Sequence, residues 1–341
     1  MLKTFRFLIT SALAICLATA FTVPAQAVEE TSDTWDALQT VQELASETEE
    51  MRVLDDVAEV SVDDGLDAIG TVANDVTVDL PETTADPVKL NAGDGEKLIV
   101  SLPFTSDAVS ADSVSDGIVE YDNANGSSTV PIVKQDGSVQ VVTVISEPSA
   151  PTDYVYDFAL ADSQRLEMQD DGSVLVLNAD GSFRGGIAAP WAIDAAGEAV
   201  PTHYEISGST LTQVVNHDAA FAYPVVADPW MGIALIKSFR WVNTKKISVA
   251  VTSWMGTVTP GVAATAGWDE LRTKVRASSN SRYNELMRTT YYQQWGCHAN
   301  GKALIWLATI VGMDKNPTWD LEGTRPTNAN WISQAWKLCN W

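Results

Sequence analysis

The tripeptide Asp-Gly-Ser occurs three times between short apolar runs, beginning at Asp136, Asp171 and Asp180. Glycine suits the tight turn between two strands because it adopts a positive φ angle without steric cost. In residues 139–145, which follow the first turn, Val139, Val141, Thr143 and Ile145 occupy alternate positions, as expected for a β-strand. These repeated turns predict antiparallel β-structure for this part of the chain.

The β-rich pattern covers residues 88–229. Residues 154–160 alternate again, and residues 204–214 form another hairpin pattern around Ser207-Gly208. Strands at this spacing, without a convincing helix between them, predict an antiparallel sandwich. The segment ends in the sequence YPVVADP, and Pro229 cannot donate a hydrogen bond to a ladder, so we predict a domain boundary there.

The N-terminus has the features of a secretory signal. Lys3 and Arg6 precede an uncharged apolar run over residues 7–23, and Ala25 and Ala27 form a small-x-small cleavage site. We therefore predict a signal peptide over residues 1–27 and a secreted protein, either extracellular or associated with the cell wall. A retained membrane anchor is the alternative.

Charge is distributed unevenly along the rest of the chain. Residues 28–125 hold 25 acidic and three basic residues, whereas residues 230–341 hold 13 basic and six acidic residues and ten of the twelve tryptophans. We predict an acidic leader over residues 28–87, with one short helix followed by disorder, and a basic, Trp-rich α+β domain over residues 230–341. The fold class is therefore α+β in several parts. Export and the acidic mature chain argue against a nucleic-acid partner.

The C-terminal segment is expected to form helices in four places. Residues 262–275 form one pattern, and a second helix is expected to start at Ser281 and to stop at Asn300-Gly301. Residues 302–313 are expected to form a buried third helix, and a last helix begins at Asn330. The C-terminal domain is therefore expected to be small and mainly helical.

Two cysteines remain after removal of a signal peptide that contains Cys16. Cys297 continues the apolar stripe of the Ser281 helix, and Cys339 shares a face with Ile332 in the last helix. Matched apolar faces in an exported chain predict a disulfide between Cys297 and Cys339. A thiol nucleophile beside His298, a metal site and unpaired or intermolecular thiols are the alternatives. No metal or other cofactor is expected.

Several C-terminal motifs together resemble a known family. The pair Cys297-His298, the sequence PTWDLEGTRP over residues 317–326 and the ending Cys339-Asn340-Trp341 resemble the bacterial family called domain of unknown function 2599. Asparagine is common in that family where Asp320 stands here. The segment with YPVVADP resembles a leader domain of secreted proteins from high-GC Gram-positive bacteria. The resemblance implies export and carries no assigned activity.

Residues 317–326 are predicted to form a rigid loop between two prolines. This loop carries Trp319, Asp320, Glu322 and Arg325, which are the candidate binding residues. Arg325 has the geometry to clamp a carboxylate, either Glu322 or one on a ligand. Asp320 and Glu322 are also the one pair of carboxylates that the sequence offers for a glycosidase mechanism. No catalytic residue is assigned.

These features predict a secreted, non-catalytic protein with a C-terminal binding module. A cell-wall polymer, a glycan or an acidic protein would suit its tryptophans and basic residues. The first alternative is a membrane-active or toxin-like domain kept soluble by the acidic leader, since residues 247–268 and 303–313 are uncharged. The second alternative is a hydrolase.

Overall fold

A computed structural model describes residues 33–44, 51–62, 67–93, 97–105, 109–310, 318–333, 339 and 341, with the backbone alone over residues 303–310. The predicted signal peptide, with Ala25 and Ala27, lies outside these residues. In the described part of the chain there are four α-helices, which are α1 (Asp33–Leu44), α2 (Pro260–Ser278), α3 (Asn280–Leu286) and α4 (Thr289–Ile310), and one short 3-10 helix over Trp254–Gly256.

The strands form four antiparallel sheets. Their bounds are β1 (Asp67–Ala73), β2 (Val76–Pro81), β3 (Val88–Ala92), β4 (Lys97–Val100), β5 (Asp112–Ser115), β6 (Ile118–Asp122), β7 (Ser127–Val133), β8 (Val139–Ile145), β9 (Asp153–Asp157), β10 (Arg165–Met168), β11 (Val174–Leu177), β12 (Phe183–Ile187), β13 (Ala192–Ile193), β14 (Thr202–Ser207), β15 (Thr210–Val215), β16 (Val225–Ala227), β17 (Trp230–Gly232), β18 (Ile236–Trp241), β19 (Lys246–Val251) and β20 (Thr318–Glu322). The largest sheet has the order β10-β11-β12-β17-β8-β7-β6-β5, with β16 and β13 attached through β8. The smaller sheets are β1-β2-β3-β4, β14-β15-β9 and β18-β19-β20.

The main core is a layered β-structure. Buried residues of β1–β4 and of β9, β14 and β15 share one apolar cluster with residues of the large sheet, including Val139, Val141 and Ile145. Alternation along β8 sends Val142 and Val144 to the opposite face, where they join a second cluster. The predicted α+β class, with antiparallel sandwich-like sheets and a helical C-terminal region, is confirmed.

The three Asp-Gly-Ser sequences form turns of the predicted kind. Gly137, Gly172 and Gly181 have φ angles of 80°, 86° and 81°. In each turn the aspartate accepts hydrogen bonds from the serine N–H and hydroxyl, at 3.0 and 2.6 Å in the turn of Asp136. The side chain therefore closes the turn locally, which explains why the motif was visible in the sequence.

Helix α1 covers the outer face of the large sheet. Ala37, Leu38 and Val41 are buried and pack with Val142 and Val144 of β8. Two exposed acidic residues, Asp33 and Asp36, lie in the first turn of the helix, where the helix dipole stabilises their negative charge. The short helix predicted in the leader is confirmed, and it is part of the folded unit over residues 32–341.

The disorder predicted after this helix is wrong for residues 67–81, which form β1 and β2. Val76, Val78 and Leu80 are at most 1% exposed, while Asp79 lies on the other face with an intermediate exposure. Alternation lets a segment rich in charge still offer one apolar face to a core. Composition alone therefore underestimated the order of this segment.

Lys134 binds the N-terminal segment to the large sheet. Lys134 is 1% exposed, and its ammonium group donates hydrogen bonds to the carbonyl oxygens of Val53 and Asp55, the latter at 3.0 Å. It also lies 5.5 Å from the centre of the Trp230 ring. Burial lowers the pKa of Lys134 to about 8, although nearby aspartates, first among them Asp136, oppose the shift.

Lys134 is expected to make stability rise with pH. Its pKa falls from 10.5 to about 8 on folding, so between those values the unfolded chain binds more protons than the folded chain. Lys134 then adds about 1.4 kcal/mol to the free energy of unfolding for each pH unit inside this window. Urea unfolding at pH 7.5 and 9.5 measures the slope, and Lys134→Met is expected to remove it. Equal slopes for the two proteins would contradict the prediction.

The boundary predicted at Pro229 falls inside the large sheet. Strand β17 pairs with β8 through Trp230 and Met231, and it also pairs with β12. Pro229 cannot donate, but its carbonyl oxygen accepts a hydrogen bond from the Val141 N–H at 2.8 Å, so the chain stays in the ladder. The C-terminal region therefore begins after Gly232.

The helices of this region differ in detail from the prediction. The pattern expected to start at Ser281 is divided into α3 and α4, and Ser279 caps α3 by accepting from the Arg282 N–H. Helix α4 continues through Asn300-Gly301, because the Asn300 side chain donates to the Gly296 carbonyl inside the helix at 2.7 Å instead of ending it.

Candidate functional site

Cys297 and Cys339 form the predicted disulfide. Their Cα atoms are 5.8 Å apart, the bond closes a sequence separation of 42 residues, and both side chains are at most 1% exposed. The matched helix faces that motivated the prediction are not those observed, because Ile332 is 61% exposed and residues 334–338 lie outside the described chain. With its sulfur bonded, Cys297 is not a free thiol beside His298, so the thiol-nucleophile interpretation is wrong.

The sequence predicted to be a binding loop is largely a strand. Thr318–Glu322 forms β20 and pairs antiparallel with β19. Trp319 is 3% exposed, and its ring lies 4.8 Å from that of Trp295 and is stacked on His298 at 5.4 Å. Alternation along β20 therefore sends Trp319 into the core and the neighbouring carboxylates to the other face.

The two carboxylates of β20 pair with nearby cations. Lys246 lies 2.8 Å from Asp320 and 3.3 Å from Glu322, and Arg325 Nε lies 3.1 Å from Glu322. Burial opposes ionisation of both acids, but the hydrogen bonds from Lys246 and Arg325 hold their pKa values below the usual range. Both acids are therefore ionised at neutral pH, whereas a glycosidase pair needs one acid that keeps its proton.

Arg325 connects this strand to the second cysteine. Its guanidinium donates to Glu322 Oε2 and, at 2.7 Å, to the carbonyl oxygen of Cys339. The sequence left Glu322 and a carboxylate on a ligand as possible partners of Arg325, and the structure shows the pair with Glu322. The strand, the arginine and the disulfide thus form one connected frame.

Gln294 completes the frame from α4. Its buried side chain donates to the Glu322 carbonyl at 2.9 Å and accepts from the Glu322 N–H at 2.9 Å. An amide that replaces a missing strand partner covers the edge of the sheet. The residues of the sequence motif therefore lie together because they hold α4, β20 and the C-terminus in place.

An aromatic row extends from this frame to the surface. The centres of the Trp295 and Trp268 rings are 6.2 Å apart, and those of Trp268 and Tyr292 are 5.6 Å apart. The row continues from Tyr292 to Trp331, with ring centres 6.5 Å apart. Tyr292 is 40% exposed, so the outer end of the row reaches solvent. Tyr292 and Trp331 were not among the residues predicted from the sequence, although the high tryptophan content of the segment was a signal.

The described residues contain neither a metal-ligand cluster nor a membrane-spanning helix. Within them, no three histidine, cysteine, aspartate or glutamate side chains converge in the way that a metal site requires. None of the helices in the described part of the chain has both the length and the apolar character needed to cross a membrane.

Comparisons with known proteins add little. No protein-family model matches the chain, and no curated protein matches it. One solved structure with some likeness is a mutant of the family 81 glycoside hydrolase from Clostridium thermocellum, which is 11% identical over 58% of this chain and 30% of that chain, with a TM-score of 0.21. The match thus spans less than a third of the hydrolase, and a TM-score this low carries no inference about this chain.

Proposed function

We propose that this chain is an exported, non-catalytic protein whose C-terminal region binds a component of the cell envelope. The observation that carries the proposal is that the reactive groups of the motif already have partners within the protein. Cys297 is bonded to Cys339, and Asp320, Glu322 and Arg325 belong to ion pairs within the frame. A scaffold of this kind supports display of a surface better than it supports chemistry.

Export is part of the proposal. The signal-like residues 1–27 and the disulfide support it, since disulfides persist in oxidising compartments. The resemblance to the family called domain of unknown function 2599 also belongs to this proposal, because its motif residues are those that build the frame.

Co-sedimentation tests this function with the full mature chain. The C-terminal region should not be tested alone, because Trp254 joins it to the large sheet and is fully buried there. We expect secreted protein that starts at Val28 to sediment with insoluble cell envelope and to remain in the supernatant with neutral cellulose. Retention in the cytoplasm, or absence of envelope binding, would contradict the proposal. Leakage of vesicles treated with the protein would favour the membrane-active alternative instead.

A further inference from the structure

We propose that one edge of the C-terminal region binds a phosphodiester-linked sugar or polyol polymer. This cationic edge consists of Lys245, Arg276, Arg282 and Arg288. The inference rests on the proposed function and names the ligand class and the surface that meets it.

Two of the arginines are held against aromatic rings. The guanidinium carbon of Arg282 lies 4.8 Å from the centre of the Trp241 ring, and its Nη1 donates to the Asn243 carbonyl at 3.1 Å. The guanidinium carbon of Arg276 lies 5.3 Å from the centre of the Tyr283 ring. These contacts fix the planes of the two guanidinium groups before any ligand arrives.

The other two cations share one acid. The Glu285 carboxylate forms ion pairs with Lys245 Nζ at 2.9 Å and with Arg288 Nη1 at 2.8 Å. Burial opposes ionisation, but hydrogen bonds from Lys245, Arg288 and Tyr291 hold the pKa of Glu285 below its usual value. The Glu285 side chain is 18% exposed, while those of Lys245 and Arg288 are 46% and 47% exposed. One inner carboxylate therefore positions two outward-facing cations.

Side-chain contacts connect these groups along a single edge. Arg282 reaches Asn243 in the turn between β18 and β19, and Lys245 of the same turn reaches Glu285 on α3. Tyr283 and Arg282 are neighbours on α3, and Arg276 approaches Tyr283 from α2. The edge is therefore built from the turn between β18 and β19, from α2 and α3, and from the connection between α3 and α4 that carries Arg288, rather than from one flexible loop.

Fixed guanidinium groups suit phosphate. A guanidinium plane presents paired N–H donors that match the oxygens of a phosphate group, and charge-assisted hydrogen bonds of this kind are among the strongest in proteins. Because the side chains are already held, binding costs less conformational entropy than it would on mobile lysines. Two or more such groups in a row would recognise repeated phosphates.

The charge of the whole chain favours a thin polymer as the partner. The net charge is −24, so a bulky acidic protein that approached the edge would also meet the acidic remainder of the chain. Electrostatic repulsion is screened beyond about 8–10 Å at physiological ionic strength. A linear polymer contacts the edge within that distance and keeps clear of the acidic surface.

Titration of the full mature chain with purified poly(glycerol phosphate) tests this inference. We expect the triple variant Arg276→Gln, Arg282→Gln, Arg288→Gln to bind at least about tenfold more weakly, because it loses three charge-assisted contacts. The matched control is Arg165→Gln, Arg184→Gln, Lys237→Gln, which removes the same charge elsewhere and is expected to bind as the wild type does. Far-ultraviolet circular dichroism and thermal unfolding check that both variants fold.

Four results would overturn the inference. The first is an equal loss in both triple variants, which would assign binding to net charge. The second is tighter binding of single-stranded DNA or polyglutamate than of the phosphate polymer. The third is wild-type protein that sediments with envelope but does not bind the polymer, which would leave the proposed function standing. Protein that binds neither envelope nor polymer fails both proposals.

Discussion

Cys297→Ala with Cys339→Ala is expected to lower the free energy of unfolding of the C-terminal region by about 4 kcal/mol. The bond closes a 42-residue separation, and opening it restores the conformational entropy of that loop to the unfolded chain. The loop contains β20 and Arg325, so in the same variant the frame around Glu322 is attached to the C-terminus through the Arg325 hydrogen bond to the carbonyl of residue 339, which alanine retains, and no longer through the disulfide.

Intrinsic fluorescence during urea unfolding measures this effect. Ten of the twelve tryptophans lie in residues 230–341, so the signal mainly reports the C-terminal region. Wild-type protein unfolded with a reducing agent is the control and should match the double variant. A midpoint unchanged by both treatments, or two thiols that react with an alkylating agent in the folded wild-type protein, would contradict the disulfide.

Trp254→Ala is expected to cost about 3–5 kcal/mol, the usual range for removal of a large buried aromatic side chain. Trp254 is 0% exposed, and its backbone N–H donates to Asp136 Oδ2 of the large sheet's turn at 3.1 Å. Its ring packs at 6.0 Å from Phe183. The substitution therefore opens a cavity at the junction between the C-terminal region and the large sheet.

Gly232→Ala tests the same junction from the other side. A Cβ atom at position 232 would lie 2.7 Å from Trp254 Cδ2, which is too close for carbon atoms, so overpacking should also destabilise the protein. Gly208→Ala, at a turn with a positive φ angle and open space around it, shows the cost of backbone strain alone. In a protein that already carries Trp254→Ala, the added Gly232→Ala substitution should lower the free energy of unfolding much less than it does alone, because the clashing ring is absent. Full additivity of the two changes would contradict direct contact.

Local signals explain what was predicted successfully. In each Asp-Gly-Ser turn the aspartate bonds to a serine two residues later, so three adjacent residues determine the turn. Strand β8 and the hairpin of β14 and β15 follow from alternation within single segments. The disulfide followed from the number of cysteines and the signal-like N-terminus, although the helix face assigned to Ile332 was not observed.

The incorrect predictions concern residues whose partners are distant in sequence. The leader was predicted to be disordered because it is acidic, yet Val76 and Leu80 are buried in a core that also includes residues as distant in sequence as Val225 and Ile233. Pro229 was placed at a boundary because it cannot donate, while its carbonyl group still accepts from Val141. Composition and local rules do not include such partners.

The sequence by itself determined the β-hairpins, the helices α1 and α2 and the pairing of two cysteines, because each depends on neighbouring residues or on a simple count. The tertiary structure decided that the carboxylates of β20 pair with Lys246 and Arg325, that Lys134 anchors residues 53–55, and that Trp254 joins the C-terminal region to the large sheet. It also brought Arg276, Arg282, Lys245 and Arg288 to one edge. These arrangements depend on contacts between segments that meet only after folding, and no spacing along the chain encodes them.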